Sequence, residues 1–460
     1  MAIYLLADFG STYTKLTAID DVKKDIIATS KAYTTVETNV LDGYNQAYND
    51  LFPGVNKPHI DKVLACSSAK GGFKMVAIGL SPTLTAEAAK RAALGAGTRI
   101  LKVYSYGLKP HDIEEIEQLQ PDVILLSGGT NGGNEKNILK DAKLLTELSL
   151  KVPIVVAGNE ETYSEIKALF KQSCVNFHLT ENVMPQINQL NAEPTRKILR
   201  QIFIHNIVKA KGMGDIQASL SNDIIPTPSS VLYAAELLSK GTKTHKGIGN
   251  ILIVDVGGAT TDIHSIGSGK KRQANVQFDG LEEPFSKRTV EGDLGMRYSA
   301  NSLLESTSYQ SFATYTSFDE ETIKEKCHFR SQHPEYIADT IEEKIIDNTI
   351  AKIAIKTAIS RHAGYYIKEQ TPSRTIYHQY GKDLRLFTTI IGTGGILVHN
   401  DHPEDVLSAA LSPTNKTLLT PEQSSLYLDK AYILSAIGLL STVDKDLAFD
   451  IAMKYLTKLN

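Results

Sequence analysis

At 460 residues the chain has length for two or three folding units, and 49 Lys and Arg against 52 Asp and Glu leave it near neutral at −3. A composition that is 42% hydrophobic and 22% charged matches folded globular chains and excludes disordered and collagen-like ones. The missing basic excess argues against a nucleic-acid or anionic-membrane partner. Cys66, Cys174 and Cys327 are too widely spaced for a zinc ribbon or a redox pair, which points to a reducing, cytoplasmic setting. No basic leader precedes Asp8, and the uncharged stretch from Ala431 to Val443 falls short of the roughly 20 residues that span a bilayer, so neither export nor membrane insertion is expected.

Along the chain, Ile3 to Ala7 forms an apolar run that opens into the polar turn Asp8-Phe9-Gly10-Ser11-Thr12, the pattern of a buried strand ending in a tight turn. Thr85 can cap a helix through Ala86, Ala88, Ala89, Ala92, Ala93 and Leu94, closed by Gly95. Val123 to Leu126 is a second apolar strand, emptying into Ser127-Gly128-Gly129-Thr130-Asn131-Gly132-Gly133. A helix carrying Ile138, Leu139, Ala142, Leu145 and Leu148 follows, then a strand over Ile154 to Ala157 and a helix from Glu160 to Lys171. Strands alternating with helices of this length predict a parallel sheet with helical crossovers between residues 61 and 210.

The opening pattern returns 247 residues later. Ile251 to Val254 runs into Asp255-Val256-Gly257-Gly258-Ala259-Thr260-Thr261-Asp262, with Gly two and Thr six residues after Asp in both copies. Farther on, Ile337, Ile341 and Ile345 are spaced by four, as on one face of a long helix. Thr389-Ile390-Ile391-Gly392-Thr393-Gly394-Gly395-Ile396 is another strand breaking into glycines. Thr420-Pro421-Glu422-Gln423 has the cap, proline and glutamine of a helix start. Asp444 is expected to cap a last helix with Leu447, Ala448, Ile451, Tyr455 and Leu459 on its apolar face.

A strand that ends in Asp and turns through glycines and hydroxyls suits phosphate. Glycines let successive amides converge, hydroxyls add donors, and the Asp can hold a hydrated Mg²⁺. One such turn is common in ordinary proteins; two matching turns and a third glycine turn together point to a nucleotide.

These segments resemble a family. Asp8 to Lys15, Asp255 to Asp262 and Ile390 to Gly395 are similar, in that order, to the first phosphate, second phosphate and adenosine motifs of the actin, hexokinase and heat-shock-chaperone ATPase superfamily. Lys15 matches the phosphate-contacting lysine of actin. Pro228 to Ala235 and Ala436 to Gly438 resemble the superfamily's two interdomain hinge helices. With Gly79 to Gly97, Ser127 to Asn134 and Glu291-Gly292-Asp293-Leu294-Gly295, the narrower resemblance is to the accessory ATPase encoded beside adenosylcobalamin-dependent glutamate mutase and related aminomutases.

The resemblance implies an α/β, two-lobed actin-like (ribonuclease H-like) ATPase fold with an inserted βα subdomain, and Mg·ATP in the interlobe cleft. Residues 1–60 would form the first lobe and 61–210 the insertion. Residues 211–250 would return through a hinge helix, with 251–440 the second lobe and 441–460 a C-terminal helix. Asp8 and Asp255 would hold Mg²⁺, and the amides of Gly10, Ser11, Thr12, Gly257, Gly258 and Ala259 would hold phosphates. Thr260 or Thr261 would add a hydroxyl, Lys15 would meet developing charge, and Gly392, Gly394 and Gly395 would admit the adenosine. The implied partner is a cobalamin-dependent mutase, reactivated by slow ATP hydrolysis. The rival expectations are a small-molecule kinase and an actin-like filament protein.

Weaker constellations are read both ways. Ser127 to Gly133 could cradle a second phosphate or be a structural turn. Glu291 and Asp293 could orient a water or simply start a solvated helix. His399 and His402 with Asp401 and Glu404, and Cys327-His328 with His333, have some metal-ligand spacing, but a surface loop and an incomplete ligand set are the expected readings. Lys70 to Lys74 is expected to be a solvated basic loop.

Overall fold

The computed structural model describes residues 2–459 apart from 11–12, 36–37, 55–56, 69–72, 209–211, 271–274, 373 and 413–416. Ser11, Thr12 and the centre of the Lys70 to Lys74 turn therefore lie outside the described residues. The chain divides into two compact units. Unit 1 is Met1–Tyr233, Gly280–Glu282 and Ser435–Ile451; unit 2 is Ala234–Asp279, Glu283–Leu434 and Ala452–Asn460.

The strands of unit 1 are β1 (Ile3–Phe9), β2 (Tyr13–Asp20), β3 (Asp25–Tyr33), β4 (Lys62–Ser67), β5 (Phe73–Gly79), β6 (Thr98–Ser105), β7 (Val123–Leu126), β8 (Ile154–Val156), β9 (Phe177–Leu179) and β10 (Ile225–Pro226). One sheet has the order β10-β4-β1-β2-β3. In it β1, β2 and β3 are antiparallel neighbours, while β1, β4 and β10 are parallel neighbours. The second sheet, β6-β5-β7-β8-β9, is parallel throughout, as the alternating pattern predicts.

Strands of that second sheet are apolar on both faces because both are covered. Met75, Ala77, Val123, Leu125 and Val155 face a core shared with Leu5, Ala7 and Leu16 of the first sheet. Val76, Ile78, Ile124, Leu126, Ile154 and Val156 face a separate core with Ile138, Ala142, Leu145, Ile166 and Phe170. Those partners come from α2 (Lys136–Leu145) and α3 (Tyr163–Gln172); before them in the chain stands α1 (Thr85–Gly95). Ala88, Ala89, Ala92 and Ala93 of α1 lie in the shared core, where side chains this small let the helix pack closely on β5 and β6. Thr85 is the first helical residue rather than the cap, and its hydroxyl accepts from Ser81 N–H at 3.0 Å. The last helix to open in this stretch is α4 (Thr227–Lys240).

Unit 2 contains β11 (Ile251–Val256), β12 (Thr261–Ile266), β13 (Val276–Asp279), β14 (Ser286–Glu291), β15 (Tyr365–Gln370), β16 (Thr375–Tyr380), β17 (Thr389–Thr393), β18 (Ser425–Asp429) and β19 (Leu456–Lys458). Its large sheet runs β14-β12-β11-β17-β18-β19, beside a small sheet β13-β16-β15. Again the first strand pairs antiparallel with the second and the second with the third. The fourth and fifth lie parallel on the other side of the first. Two sheets of one connectivity, each opening on an Asp-ended hairpin, are the duplicated actin-like α/β architecture that the motif order implies.

Three expected elements differ. The stripe Ile337, Ile341, Ile345 is not a packed face, since these residues are 82%, 75% and 40% exposed. The helix there, α5 (Ile341–His362), begins after Ile337 and buries Ile346, Ile350, Ile353 and Ile359 instead. Thr420-Pro421-Glu422-Gln423 starts no helix; it leads into β18, whose alternating Leu426 and Leu428 pack beneath the sheet beside β17. The next helix, α6 (Leu434–Ser441), is opened by Asp429, whose carboxylate accepts from Ile433 N–H and Leu434 N–H at 2.9 and 3.0 Å. Asp444 does cap α7 (Lys445–Tyr455) through Leu447 N–H at 3.0 Å, but Leu459 lies beyond the helix, next to β19.

Candidate functional site

In unit 1 the hairpin of β1 and β2 sets Asp8 directly opposite Lys15. Opposed residues of an antiparallel pair share a face, so the carboxylate and the ammonium project together. Both are half-buried. The turn is closed by Gly10 N–H donating to Tyr13 C=O at 3.0 Å. The Asp8 carboxylate accepts from the Thr227 hydroxyl at 2.7 Å, the Ser435 hydroxyl at 3.0 Å and the Cys66 thiol at 3.4 Å. Burial, then the neighbouring Asp8 charge, push the Cys66 thiol well above its ordinary pKa, so it stays a protonated donor. Sequence reasoning missed Thr227 and Ser435, whose hydroxyls reach Asp8 from 219 and 427 residues away.

Unit 2 repeats the hairpin at the same positions. Asp255 stands opposite Asp262, and Gly257 N–H donates to Thr260 C=O at 2.9 Å. Where unit 1 has a lysine, unit 2 has a second carboxylate, and Arg288 neutralises it through Nη2 to Asp262 Oδ2 at 2.7 Å.

The backbone of this turn has a defined polarity. The carbonyls of Gly257 and Gly258 accept from Met296 N–H and Arg297 N–H at 3.0 and 2.8 Å, and that of Ala259 accepts from the Ser299 hydroxyl at 2.7 Å. In a trans peptide the N–H points opposite to the C=O. With all three carbonyls drawn toward the 296–299 segment, the amides of Gly258, Ala259 and Thr260 face the other way, a row of donors suited to a phosphate. The approach needs Gly295, where a Cβ would stand 2.5 Å from the Ala259 carbonyl carbon. This gives the Leu294-Gly295 part of the expected motif its physical role. Thr261 is fully buried and donates its hydroxyl to Leu294 C=O, which leaves half-buried Thr260 as the threonine able to meet a ligand.

The third turn follows β17, whose Thr393 is paired with Asp255 in the sheet. Gly394 has φ +99 and passes so close to β11 that a Cβ would lie 2.3 Å from Val256 O; glycine is required on both counts. Gly395 is open, with nothing near its Cβ direction, and suits close approach by a flat ligand. Gly392 is different. It is buried under Leu397 and Leu407, so packing explains it.

Glu291 and Asp293 are held by Arg361, which donates to Glu291 Oε2 at 2.8 Å and to both Asp293 oxygens at 2.7 and 2.9 Å. Partial burial opposes ionisation of Asp293, yet the Arg361 guanidinium holds its pKa below the usual carboxylate range. Asp293 is therefore a poor base, and Glu291 is tied to the same guanidinium. The Ser127 to Gly133 turn is tied to neighbouring side chains. Asn182 Nδ2 donates to Gly129 O at 3.0 Å and to Asn131 Oδ1 at 2.9 Å, and Asn131 Nδ2 donates to Glu160 at 3.1 Å. Cys327 is buried with its thiol pushed up to about 12 by burial, and Asp401 is paired with Lys344. Among the described residues no group of three or more His, Cys, Asp or Glu is placed to hold a metal, and no helix is long and apolar enough to cross a membrane.

Comparison with known proteins places these features in context. The family model described as MutL protein matches residues 4–456. A curated relative, "Protein MutL" of Clostridium tetanomorphum, is 47% identical over 461 residues, covering 100% of both chains. Among solved structures, diol dehydratase-reactivating factor in nucleotide-free form is 9% identical, covers 96% of this chain and 99% of its own, and has a TM-score of 0.36. The activator of 2-hydroxyisocaproyl-CoA dehydratase from Clostridium difficile with bound ADPNP is 12% identical, with coverage of 98% and 96% and a TM-score of 0.33. Xylulose kinase from Lactobacillus acidophilus is 10% identical, with coverage of 100% and 93% and a TM-score of 0.35.

Proposed function

Because the chain belongs to the MutL protein family, we propose that it is an ATP-binding, slowly ATP-hydrolysing accessory protein that reactivates an adenosylcobalamin-dependent glutamate mutase or a related aminomutase. The mutase part of this reading rests on the family resemblance. The observation that carries the nucleotide part is the backbone of residues 257–260, where three tied carbonyls turn three successive amides away from the 296–299 segment. We assign phosphate to the amides of Gly258, Ala259 and Thr260, developing charge to Lys15, and the metal to Asp8 and Asp255. Gly10 and Gly394 shape their turns, and Gly395 leaves the backbone accessible.

Asp8 and Asp255 are each hard oxygen donors of the kind magnesium takes. Mg²⁺ carried by a nucleotide keeps most of its waters and uses one or two carboxylates with phosphate oxygens, so no all-protein ligand cluster is needed. When bound, it would neutralise phosphate charge. The chain's own contribution is to position the triphosphate and orient the two carboxylates, and slow phosphoryl transfer to water rests mainly on such positioning. The commitment of Glu291 and Asp293 to Arg361 supports a slow ATPase over a kinase, which needs a base beside its acceptor hydroxyl.

Thermal melting with ATP, ADP and GTP, each with and without Mg²⁺, tests the nucleotide part. Mg·ATP at about a hundred times its Kd is expected to add about 2.7 kcal/mol to the folded state. If no adenine nucleotide raises the midpoint, the proposal fails.

A further inference from the structure

We infer that Thr227 and Ser435 are positioning residues for Asp8, setting the rotation of its carboxylate so that one remaining acceptor site faces a hydrated divalent cation. The inference rests on the assignment of Mg·ATP to this turn. Asp8 Oδ1 accepts from Thr227 Oγ1 and Cys66 Sγ, and Oδ2 accepts from Ser435 Oγ. A carboxylate offers about four acceptor sites. Among the described residues three donors reach this carboxylate, leaving about one site, on Oδ2, which is enough for a single metal-bound water.

The two hydroxyls are held in place independently of Asp8. Thr227 is the first residue of α4 and Ser435 the second of α6. Ser230 Oγ in α4 donates to Ser435 C=O at 2.6 Å, which fixes the start of α6 against α4. At Gly438 a Cβ would lie 1.8 Å from Ser230 O, so the helices meet at a distance only glycine permits. The donors are thus preorganised by a helix contact. Their chemistry matters as well. With Lys15 already opposite Asp8, a further lysine or arginine in either place would add a second positive charge beside the carboxylate, whereas neutral hydroxyls orient it without adding charge.

The test is a Mg²⁺ titration of ATP-induced thermal stabilisation in wild type, Thr227→Val, Thr227→Ser and Ser435→Ala, with melting also recorded without nucleotide and with ATP in EDTA. Thr227→Val and Ser435→Ala are each expected to raise the half-saturating Mg²⁺ concentration about tenfold, the scale of losing one hydrogen bond to a charged group. Melting without nucleotide and the response to metal-free ATP should stay as in wild type, and Thr227→Ser should titrate like wild type. The inference is overturned if Thr227→Val and Ser435→Ala titrate like wild type, or if Thr227→Ser is as impaired as Thr227→Val. A wild type that binds metal-free ATP but shows no Mg²⁺ dependence overturns the inference alone; no response to any nucleotide overturns the nucleotide assignment as well.

Discussion

Asp255→Ala is expected to lower ATP hydrolysis at least about a hundredfold and to abolish the Mg²⁺-dependent part of nucleotide stabilisation, on the scale of removing one preorganised electrostatic group from a phosphoryl-transfer site. The protein should stay folded. Asp255 is half-buried at the end of β11, its position in the sheet is set by main-chain pairing with β12 and β17, and Asp262 beside it is already neutralised by Arg288. Asp8→Ala should show a similar loss of hydrolysis. His399→Ala serves as the control, since the exposed His399 lies past the short helix Gly395–Val398 and should leave the rate unchanged. Steady-state hydrolysis with far-ultraviolet circular dichroism on the same samples decides it. Retained activity in Asp255→Ala, or its loss in folded His399→Ala, would show that the chemistry is elsewhere.

Acid should destabilise unit 2 before carboxylates titrate in bulk. His264 and His362 are 1% and 0% exposed. Burial, reinforced by the Arg288 charge, lowers the His264 pKa to about 3. Burial, with Lys287 and Lys382 nearby, holds His362 well below its usual value. Inside, His362 bonds Ser265 Oγ at 2.7 Å and Thr289 Oγ1 at 2.8 Å, a network that serves a neutral ring. Well above pH 6.5 both histidines are neutral in folded and unfolded chains and contribute no pH dependence. Below it the unfolded chain takes up protons that the folded one refuses. Stability then falls with pH, approaching roughly 1.4 kcal/mol per pH unit for each histidine, until the folded ring itself takes up a proton, which for His264 is at about 3. The pair should cost roughly 2 kcal/mol between pH 6 and 5, a large share of a domain's stability. Urea midpoints at pH 7, 6 and 5 measure it, and His362→Asn should reduce the slope by about half. A midpoint that stays flat over that range contradicts this account of the two rings.

Local grammar made the two hairpins legible. An apolar strand ending in Asp, with Gly two residues on, suffices to place Asp8 and Asp255, and the repeat of that grammar announces the repeated sheet connectivity. Signals of similar local strength misled at Thr420, where cap, proline and glutamine suggest a helix but the alternating Leu426 and Leu428 have a place beside β17. Tertiary pairing outweighed local propensity there. The isoleucine stripe misled for a related reason: spacing by four says that residues share a helix face, not that a neighbour covers it. What stayed invisible is tertiary. No spacing rule connects Thr227 and Ser435 with Asp8, or the 296–299 segment with the carbonyls of Gly257 to Ala259. Those contacts give the expected site its orientation.

The proposed reactivating role has one direct measurement. A purified adenosylcobalamin-dependent glutamate mutase is inactivated by turnover and then supplied with this protein, Mg·ATP and fresh adenosylcobalamin, each also left out in turn. The account predicts recovery of mutase activity only when all three are present, and no recovery when the wild-type protein is replaced by Asp255→Ala. A mutase that stays inactive with all three, or recovers equally well without the protein or without ATP, would contradict it.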